Sequence, residues 1–449
     1  MLVCVALSIA GSDSSGAAGI QADLKTFFAL GVYGCTAITA ITAQNTQKVF
    51  SIFEISAETV KEQIESVMND IPPAAIKLGM LYSNQIIKTV RKLVEYSDCP
   101  IILDPIYAAG TGARLLSDNA IKEFISEIIP ISTLITPNRK EVEVLTNIKV
   151  DCESKAVEAA RALIKLGVQS VIIKGGHFNT KHVTDFFLDS KGRLVKISNP
   201  RIHVKRIHGS GCNFSAAITA FIARGFSLAD SFRLANQYVH DVVKKMSKFG
   251  TGARVANPVS AFYQNALRYN ILHELQAVVE KIQSLNGFGN LIPETQSNIV
   301  YALPDAATTL DVAAVKGRII RMGNIARPAS CIEFGASEHI ASAVLSYMTF
   351  DRLTRSAMNI KYDQKVLLQC KSLFSVSAYD RRKESKNIKN KEGLTIPWGI
   401  KNATLKKTFA DVIYHKGDIG KEPMIIVFGR NPLSVYVKIK LILEGIGYA

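Results

Sequence analysis

Short apolar runs alternate with helical stretches through the first 258 residues of this 449-residue chain, and no other feature narrows its fold as much. The runs Leu2–Ile9, Ala75–Leu78, Ile101–Leu103, Thr133–Thr136 and Val171–Ile173 have the length and apolar character of buried strands. Between them lie the helical stretches Ala57–Asn69, Asn84–Glu95, Asp118–Ile128 and Ser154–Leu166. Strand and helix taken in turn predict an α/β fold, a mostly parallel sheet with helices on both faces. Two further helices, Cys212–Arg224 and Leu228–Lys248, close the unit before Gly250-Thr251-Gly252 and Asn257-Pro258. A different pattern begins at Phe262. Residues 262–284 predict one long helix with Ile271, Leu275, Val278, Val279 and Ile282 at helical spacing, followed by mixed strands and helices. The expectation is two domains, 1–258 and 262–449, the second a smaller α/β domain.

Composition excludes several classes of protein. The chain is 48% hydrophobic and 20% charged, as a soluble globular protein with sizeable cores should be. Its net charge of +16 is spread over both halves, with 29 Lys and Arg against 22 Asp and Glu in residues 1–258. That surplus suits phosphorylated small molecules as well as nucleic acid. The densest basic run, Arg381 to Lys391, is interrupted by Glu384 and reads as a solvated loop. Seven cysteines at 4, 35, 99, 152, 212, 331 and 370 form no C-x-x-C pair, which argues against a disulfide framework and a zinc site. The apolar opening lacks a preceding basic residue and reads as a strand, not a signal peptide. No apolar run is long enough to span a membrane. A cytoplasmic protein that binds neither membrane nor nucleic acid, and forms a homo-oligomer, is expected.

The first half carries one turn of particular interest, His208-Gly209-Ser210-Gly211-Cys212. Glycines before a helix let the backbone N–H groups close around an anion, and the helix dipole favours negative charge there. A cysteine in that place is expected to have a lowered pKa. An ordinary loop with a buried cysteine fits the pattern as well. Upstream, Asp23 falls on the first turns of a helix, where it is either a surface charge or an acceptor for a polar ring. Gln44, at a strand end, is either a loop glutamine or a donor and acceptor for a heterocycle. Asp104, Asn138 and Glu141 follow strands and offer oxygen ligands suited to Mg²⁺, directly or through water. Lys174 is placed to meet phosphate oxygens.

These pieces, with Ile9-Ala10-Gly11-Ser12-Asp13, Ala43-Gln44-Asn45-Thr46, Lys77-Leu78-Gly79-Met80 and Lys174-Gly175-Gly176-His177, closely resemble the ribokinase-like hydroxymethylpyrimidine/phosphomethylpyrimidine kinases of thiamine synthesis. The resemblance covers roughly residues 1–255 and implies that ATP phosphorylates 4-amino-5-hydroxymethyl-2-methylpyrimidine, and then its monophosphate to the diphosphate. It implies that Gln44 reads the aminopyrimidine edge, that Gly11, Asp23 and Met80 line that pocket, and that Cys212 stands where most ribokinase relatives carry an Asp base. Gly209, Ser210, Gly211 and Lys174 are expected on the phosphates of ATP. Ser210 stands where the family usually has Thr, and Asn213-Phe214 where it has Thr-Leu. A pyridoxal kinase on the same fold is the competing expectation.

In the second half, Arg318, Arg321, Arg327, Arg352 and Arg355 concentrate guanidinium groups that pair bidentately with phosphate, or else form a surface cluster. His339 follows a Gly-Ala-Ser turn near a helix start. The segments Val315-Lys316-Gly317-Arg318-Ile319, Phe334-Gly335-Ala336-Ser337-Glu338-His339, Ala357-Met358-Asn359, Pro397-Trp398-Gly399 and Asp418-Ile419-Gly420-Lys421-Glu422 resemble archaeal thiamine-phosphate synthase domains over roughly 262–447. The resemblance implies that Arg318 and His339 serve the condensation of the pyrimidine diphosphate with thiazole phosphate. Related sensor domains, which bind thiamine phosphate without making it, lack both residues.

Overall fold

The computed structural model describes residues 3–107, 115–116, 118–175, 181–204, 206–385, 388, 395–406, 409–418 and 421–447. The chain divides into two compact units, Met1–Tyr263 and Gln264–Ala449.

The strands of the first unit are β1 (Val5–Asp13), β2 (Tyr33–Gln44), β3 (Val49–Glu54), β4 (Ala75–Leu78), β5 (Ile101–Leu103), β6 (Leu134–Ile135), β7 (Ser170–Ile173), β8 (His182–Asp189), β9 (Leu194–Pro200), β10 (Ile207–His208) and β11 (Arg254–Val255). Its helices are α1 (Gly19–Ala29), α2 (Ala57–Asp70), α3 (Asn84–Val94), α4 (Asp118–Glu123), α5 (Arg139–Thr146), α6 (Glu153–Lys165), α7 (Ser210–Ala223) and α8 (Leu228–Lys244). Nine strands form one sheet in the order β3-β2-β1-β4-β5-β6-β7-β8-β9. From β2 to β7 every neighbour is parallel, while β3, β8 and β9 join antiparallel. Alternate side chains feed two cores. Leu7, Ile9, Leu103 and Val171 pack with α2, α3 and α6, whereas Ala6, Ile102 and Ile172 pack with α1, α7 and α8. Burial on both faces is why the central strands read as continuous apolar runs.

Three differences from the sequence reading bear on function. Strand β1 runs past the expected end at Ile9 to Asp13, with a register shift against β2 between Ala10 and Ser12. Helix α7 begins at Ser210, two residues earlier than expected, so Cys212 lies inside its first turn. Helix α8 stops at Lys244 because Ser247 pairs with Val255 instead.

The second unit contains β12 (Ile299–Ala302), β13 (Val312–Val315), β14 (Ile319–Met322), β15 (Ile325–Pro328), β16 (Ile332–Phe334), β17 (Ser356–Lys361), β18 (Val376–Ala378), β19 (Val412–His415) and β20 (Met424–Gly429). Its helices are α9 (Ser260–Gln283, begun in the first unit), α10 (His339–Met348), α11 (Gln364–Leu373), α12 (Thr395–Lys406) and α13 (Pro432–Gly445). Seven strands form a sheet in the order β16-β13-β12-β17-β20-β19-β18, antiparallel except for β18 beside β19. The apolar stripe of α9 is buried as its spacing predicts, with Ile271, Leu275, Val278, Val279 and Ile282 each no more than 4% exposed. Helices α9, α11 and α13 cover one face, and α10 and α12 the other. Among the described residues no helix is long and apolar enough to cross a membrane.

Candidate active sites

Two irregularities in the first sheet aim candidate residues. The β1 register shift falls at Gly11, where an added Cβ would meet Sδ of Met80 at 3.0 Å and the Ala40 carbonyl at 3.5 Å. A second shift, between β2 and β3 at Ala43/Gln44, skips Phe50 and pairs Gln44 with Val49. Met80 follows β4 and its carbonyl accepts a 2.6 Å bond from the Thr39 hydroxyl. Gly11 and Met80 are therefore neighbours at the carboxyl edge of the sheet.

Asp23 departs from the expectation. It is 0% exposed, so it is neither a surface charge nor a group a ring can touch. Lys77 reaches both its oxygens at 2.7 Å, and the Ser8 hydroxyl donates to Oδ2 at 2.7 Å. Burial works against the Lys77 charge, but the Asp23 carboxylate outweighs it and holds the ammonium above the usual lysine range. The sequence hid this because Lys77 lies within an apolar strand run, where a charge is readable only once its partner is known.

The glycine turn expected to cradle an anion opens helix α7. Gly209 is the α7 N-cap at φ 88°, and a Cβ there would lie 1.9 Å from the Ala17 carbonyl oxygen, so only glycine fits. The N–H groups of Ser210, Gly211 and Cys212 open the helix without intrahelical partners. The expected thiolate is overturned. Cys212 is 8% exposed, and burial pushes its pKa up to about 12, more than Lys77 pulls it down. The resting protein holds a thiol.

Lys174 follows β7 and sits between two carboxylates, 3.2 Å from Asp104 and 3.9 Å from Glu141. Asp104 also accepts from the Ser215 hydroxyl at 3.1 Å. Asn138 does not join them as a metal ligand. Its Oδ1 accepts the N–H groups of Lys140 and Glu141 at 2.9 and 3.1 Å, capping α5. Glu141 completes that capping box and is raised to about 7 by burial and the nearby Asp104 charge, against the pull of Lys174. Two buried carboxylates close to a phosphate cradle suit Mg²⁺ held through water and phosphate oxygens, so Asp104 and Glu141 fit the ion and Asn138 does not. Gly176 and His177 lie outside the described residues.

The Glu141 shift has a measurable sign. A carboxyl whose folded pKa lies above its unfolded value stabilises the fold when protonated, and loses that contribution as pH rises through about 7. In magnesium-free buffer, the denaturation midpoint should fall between about pH 5 and about pH 8, and Glu141→Gln should flatten that fall. An equally steep profile in the variant removes Glu141 as its source.

The second unit encloses a cavity of about 880 Å³ lined by Arg318 and His339 among others. Arg318 follows Gly317 and both have φ 72°, an uncommon conformation for a side chain such as arginine. Its guanidinium donates to the Thr295 carbonyl. Glu422 braces that segment by accepting from the N–H groups of Glu294 and Thr295 at 2.9 and 3.0 Å. His339 opens α10, beside the helix-start N–H groups.

The remaining four arginines of the cluster are not among the residues lining the cavity. Arg321 bonds Gly323 and Asn290, Arg327 bonds Gln283, and Arg355 stacks on Tyr301 at 4.8 Å. Arg352 is exposed. A cation the sequence assigned to solvent takes part instead. Arg381, its side chain 12% exposed, pairs with the buried Glu384 at 3.1 Å in the cavity wall. His415 also lines the cavity, and burial, helped by Arg381, holds its pKa down to about 4, so it is neutral. Nothing in the local sequence marks His415, which ends a buried strand. Ile419 and Gly420 lie outside the described residues.

Known sequences match this arrangement along nearly the whole chain. The phosphomethylpyrimidine kinase family profile matches residues 13–258, and that of thiamine-phosphate synthase ThiN matches residues 274–441. Over 443 residues the chain is 34% identical to the bifunctional thiamine biosynthesis protein ThiDN of Methanocaldococcus jannaschii, covering 98% of each. The chain belongs to the bifunctional ThiDN family. The hydroxymethylpyrimidine/phosphomethylpyrimidine kinase of Bacillus subtilis is 42% identical over 269 residues, 60% of this chain and 98% of that protein. Among solved structures, the ADP complex of Bacillus subtilis pyridoxal kinase aligns with a TM-score of 0.54 at 30% identity, covering 58% of this chain and 99% of that one. The first unit is thus an ATP-using kinase of thiamine biosynthesis, and the second its thiamine-phosphate synthase partner.

Proposed function

We propose that the first unit phosphorylates 4-amino-5-hydroxymethyl-2-methylpyrimidine and then its monophosphate. The second unit condenses the resulting diphosphate with thiazole phosphate. The observation that carries the kinase reading is the convergence of the α7 start, Lys174 and Asp104 near one edge of the sheet. A Cβ on Gly211 would lie 3.5 Å from the Lys174 amine and 4.0 Å from the Asp104 carboxylate. Phosphoryl transfer passes through a loose transition state that needs positioning and charge neutralisation more than covalent help. N–H groups of Ser210, Gly211 and Cys212, with the Lys174 ammonium, supply that neutralisation. Mg²⁺, when bound through Asp104 and Glu141, adds further charge neutralisation at the phosphates.

Cys212 holds its proton in the resting protein, so it contacts the attacking hydroxyl as a neutral group. Cys212→Ala should therefore lower turnover by about tenfold, less than the 10²-fold or more lost with a true general base. A loss beyond about 10²-fold would return the base role to the thiol. The pyridoxal kinase alternative draws support from the structural neighbour at 30% identity. Side-by-side turnover of pyridoxal and the hydroxymethylpyrimidine decides between them: ADP formation dependent on pyridoxal alone would reverse the reading.

In the second unit, displacement of diphosphate by the thiazole nitrogen requires the leaving group's charge to be neutralised. Arg318, a cation of the cavity wall, supplies that, and His339 at the α10 start adds a donor. The intact protein, given ATP, the pyrimidine alcohol and thiazole phosphate, should form thiamine phosphate. Tight thiamine phosphate binding without any condensation would make this unit a sensor instead.

A further inference from the structure

Gln44 belongs to a hydrogen-bond network spanning three distant parts of the first unit. Its side-chain nitrogen lies 2.7 Å from Nε2 of His208. The same imidazole nitrogen lies 3.2 Å from Oδ2 of Asp13. Asp13 is itself fixed by the N–H groups of Ser15 and Ala18 at 2.8 and 2.9 Å and by the Ser15 hydroxyl at 2.8 Å. Burial disfavours its charge, yet the bonds from His208 and Ser15 hold its pKa below the usual carboxylate value. His208 is anchored from the other side, because β10 pairs with β11 through His208 and Val255.

An ionised carboxylate only accepts, so Nε2 of His208 must carry a proton to bond Asp13. Nε2 has only that one proton and, once it carries it, no lone pair to accept from the Gln44 amide nitrogen 2.7 Å away, so the two nitrogens meet donor to donor. The two ends of a carboxamide have the same shape and are told apart only by their partners. Half a turn about the last torsion sets the Gln44 oxygen against Nε2 of His208, whose one N–H is then shared between two acceptors, Gln44 and Asp13. It also carries the NH₂ group to the position 3.5 Å from the Thr42 hydroxyl oxygen. Thr42 can accept there, since its own proton goes to the Ser12 carbonyl at 3.1 Å. Every donor in the network then meets an acceptor, and one amide N–H of Gln44 is left for a ligand.

We infer that His208, anchored by Asp13, fixes the orientation of the Gln44 carboxamide and so selects a ring edge that presents a hydrogen-bond acceptor. This rests on the pyrimidine kinase reading above and names how that site chooses its ring. A 4-aminopyrimidine offers the lone pair of ring N3. The 4-oxo analogue carries a proton on that nitrogen and meets Gln44 donor to donor. His208 is a positioning residue: it acts through Gln44 and touches no reacting atom.

The test compares kcat/KM for the 4-amino alcohol and its 4-oxo analogue in wild type, His208→Leu, His208→Asn, Gln44→Leu and the His208→Leu, Gln44→Leu double variant. Wild type should prefer the amino alcohol, and His208→Leu should shrink that preference by about tenfold or more while the KM for ATP stays unchanged. His208→Asn, which keeps a side-chain N–H, should recover part of it. In the Gln44→Leu background, His208→Leu should change the preference no further, because the group it orients is gone. Undiminished preference in His208→Leu overturns the inference, and so does an equal loss in both backgrounds. A wild-type protein that turns over neither alcohol overturns the pyrimidine reading itself, and the inference with it.

Discussion

Replacing Arg318 by Ala should cut thiamine phosphate formation by about 10²- to 10³-fold, the scale of losing one preorganised charge partner of a transition state. The reason is local. Arg318 and Gly317 share φ 72°, and the guanidinium is tied to the Thr295 carbonyl, so the fork is fixed before any ligand arrives. Its other N–H groups remain for phosphate oxygens. Arg318→Lys should recover only part of the rate, since charge returns but the planar fork does not. Pyrimidine-dependent ADP formation should be unchanged in both variants, because every residue proposed for the kinase belongs to the other unit. A synthesis rate within about threefold of wild type in Arg318→Ala would remove Arg318 from the chemistry and shift attention to Arg381.

Lys77→Met should strongly destabilise the first unit, costing about 3–5 kcal/mol. Lys77 and Asp23 side chains are both 0% exposed and 2.7 Å apart. Removing the ammonium strands a buried carboxylate that keeps, among the described residues, the Ser8 hydroxyl as its side-chain hydrogen-bond partner. The double variant Lys77→Met, Asp23→Asn should recover most of the loss, because the isolated charge is gone. Denaturant midpoints of the single and double variants check this. Equal destabilisation in both would mean that packing volume, rather than charge, is what the pair maintains.

The parallel sheet was legible because strands buried on both faces must be apolar throughout, and β4, β5 and β7 are. The edge strands β3 and β9 were not, since each mixes partly buried with exposed residues and has no continuous apolar signal. The long helix α9 could be read from one stripe of residues alone. Sites were harder, because a side chain's neighbours are set by topology rather than by spacing. Asn138 has the composition of a metal ligand but spends its oxygen on a helix cap. Arg381 sits in a basic run that looks solvated and is instead held against Glu384. Cys212 occupies the helix start that favours a thiolate, but burial raises its pKa by more than the Lys77 charge lowers it.

The accessibility of the cysteines carries a consequence for covalent chemistry. Cys152 and Cys331 are exposed, whereas Cys212 is enclosed. An alkylating reagent in solution reacts with thiolate, so it should label those two surface positions while the site thiol stays intact. Oxidation on storage should follow the same order and leave the first site chemically unmarked. An electrophile meant for Cys212 must therefore be carried in by a ring that Gln44 accepts, making affinity for the pocket a precondition of covalent capture.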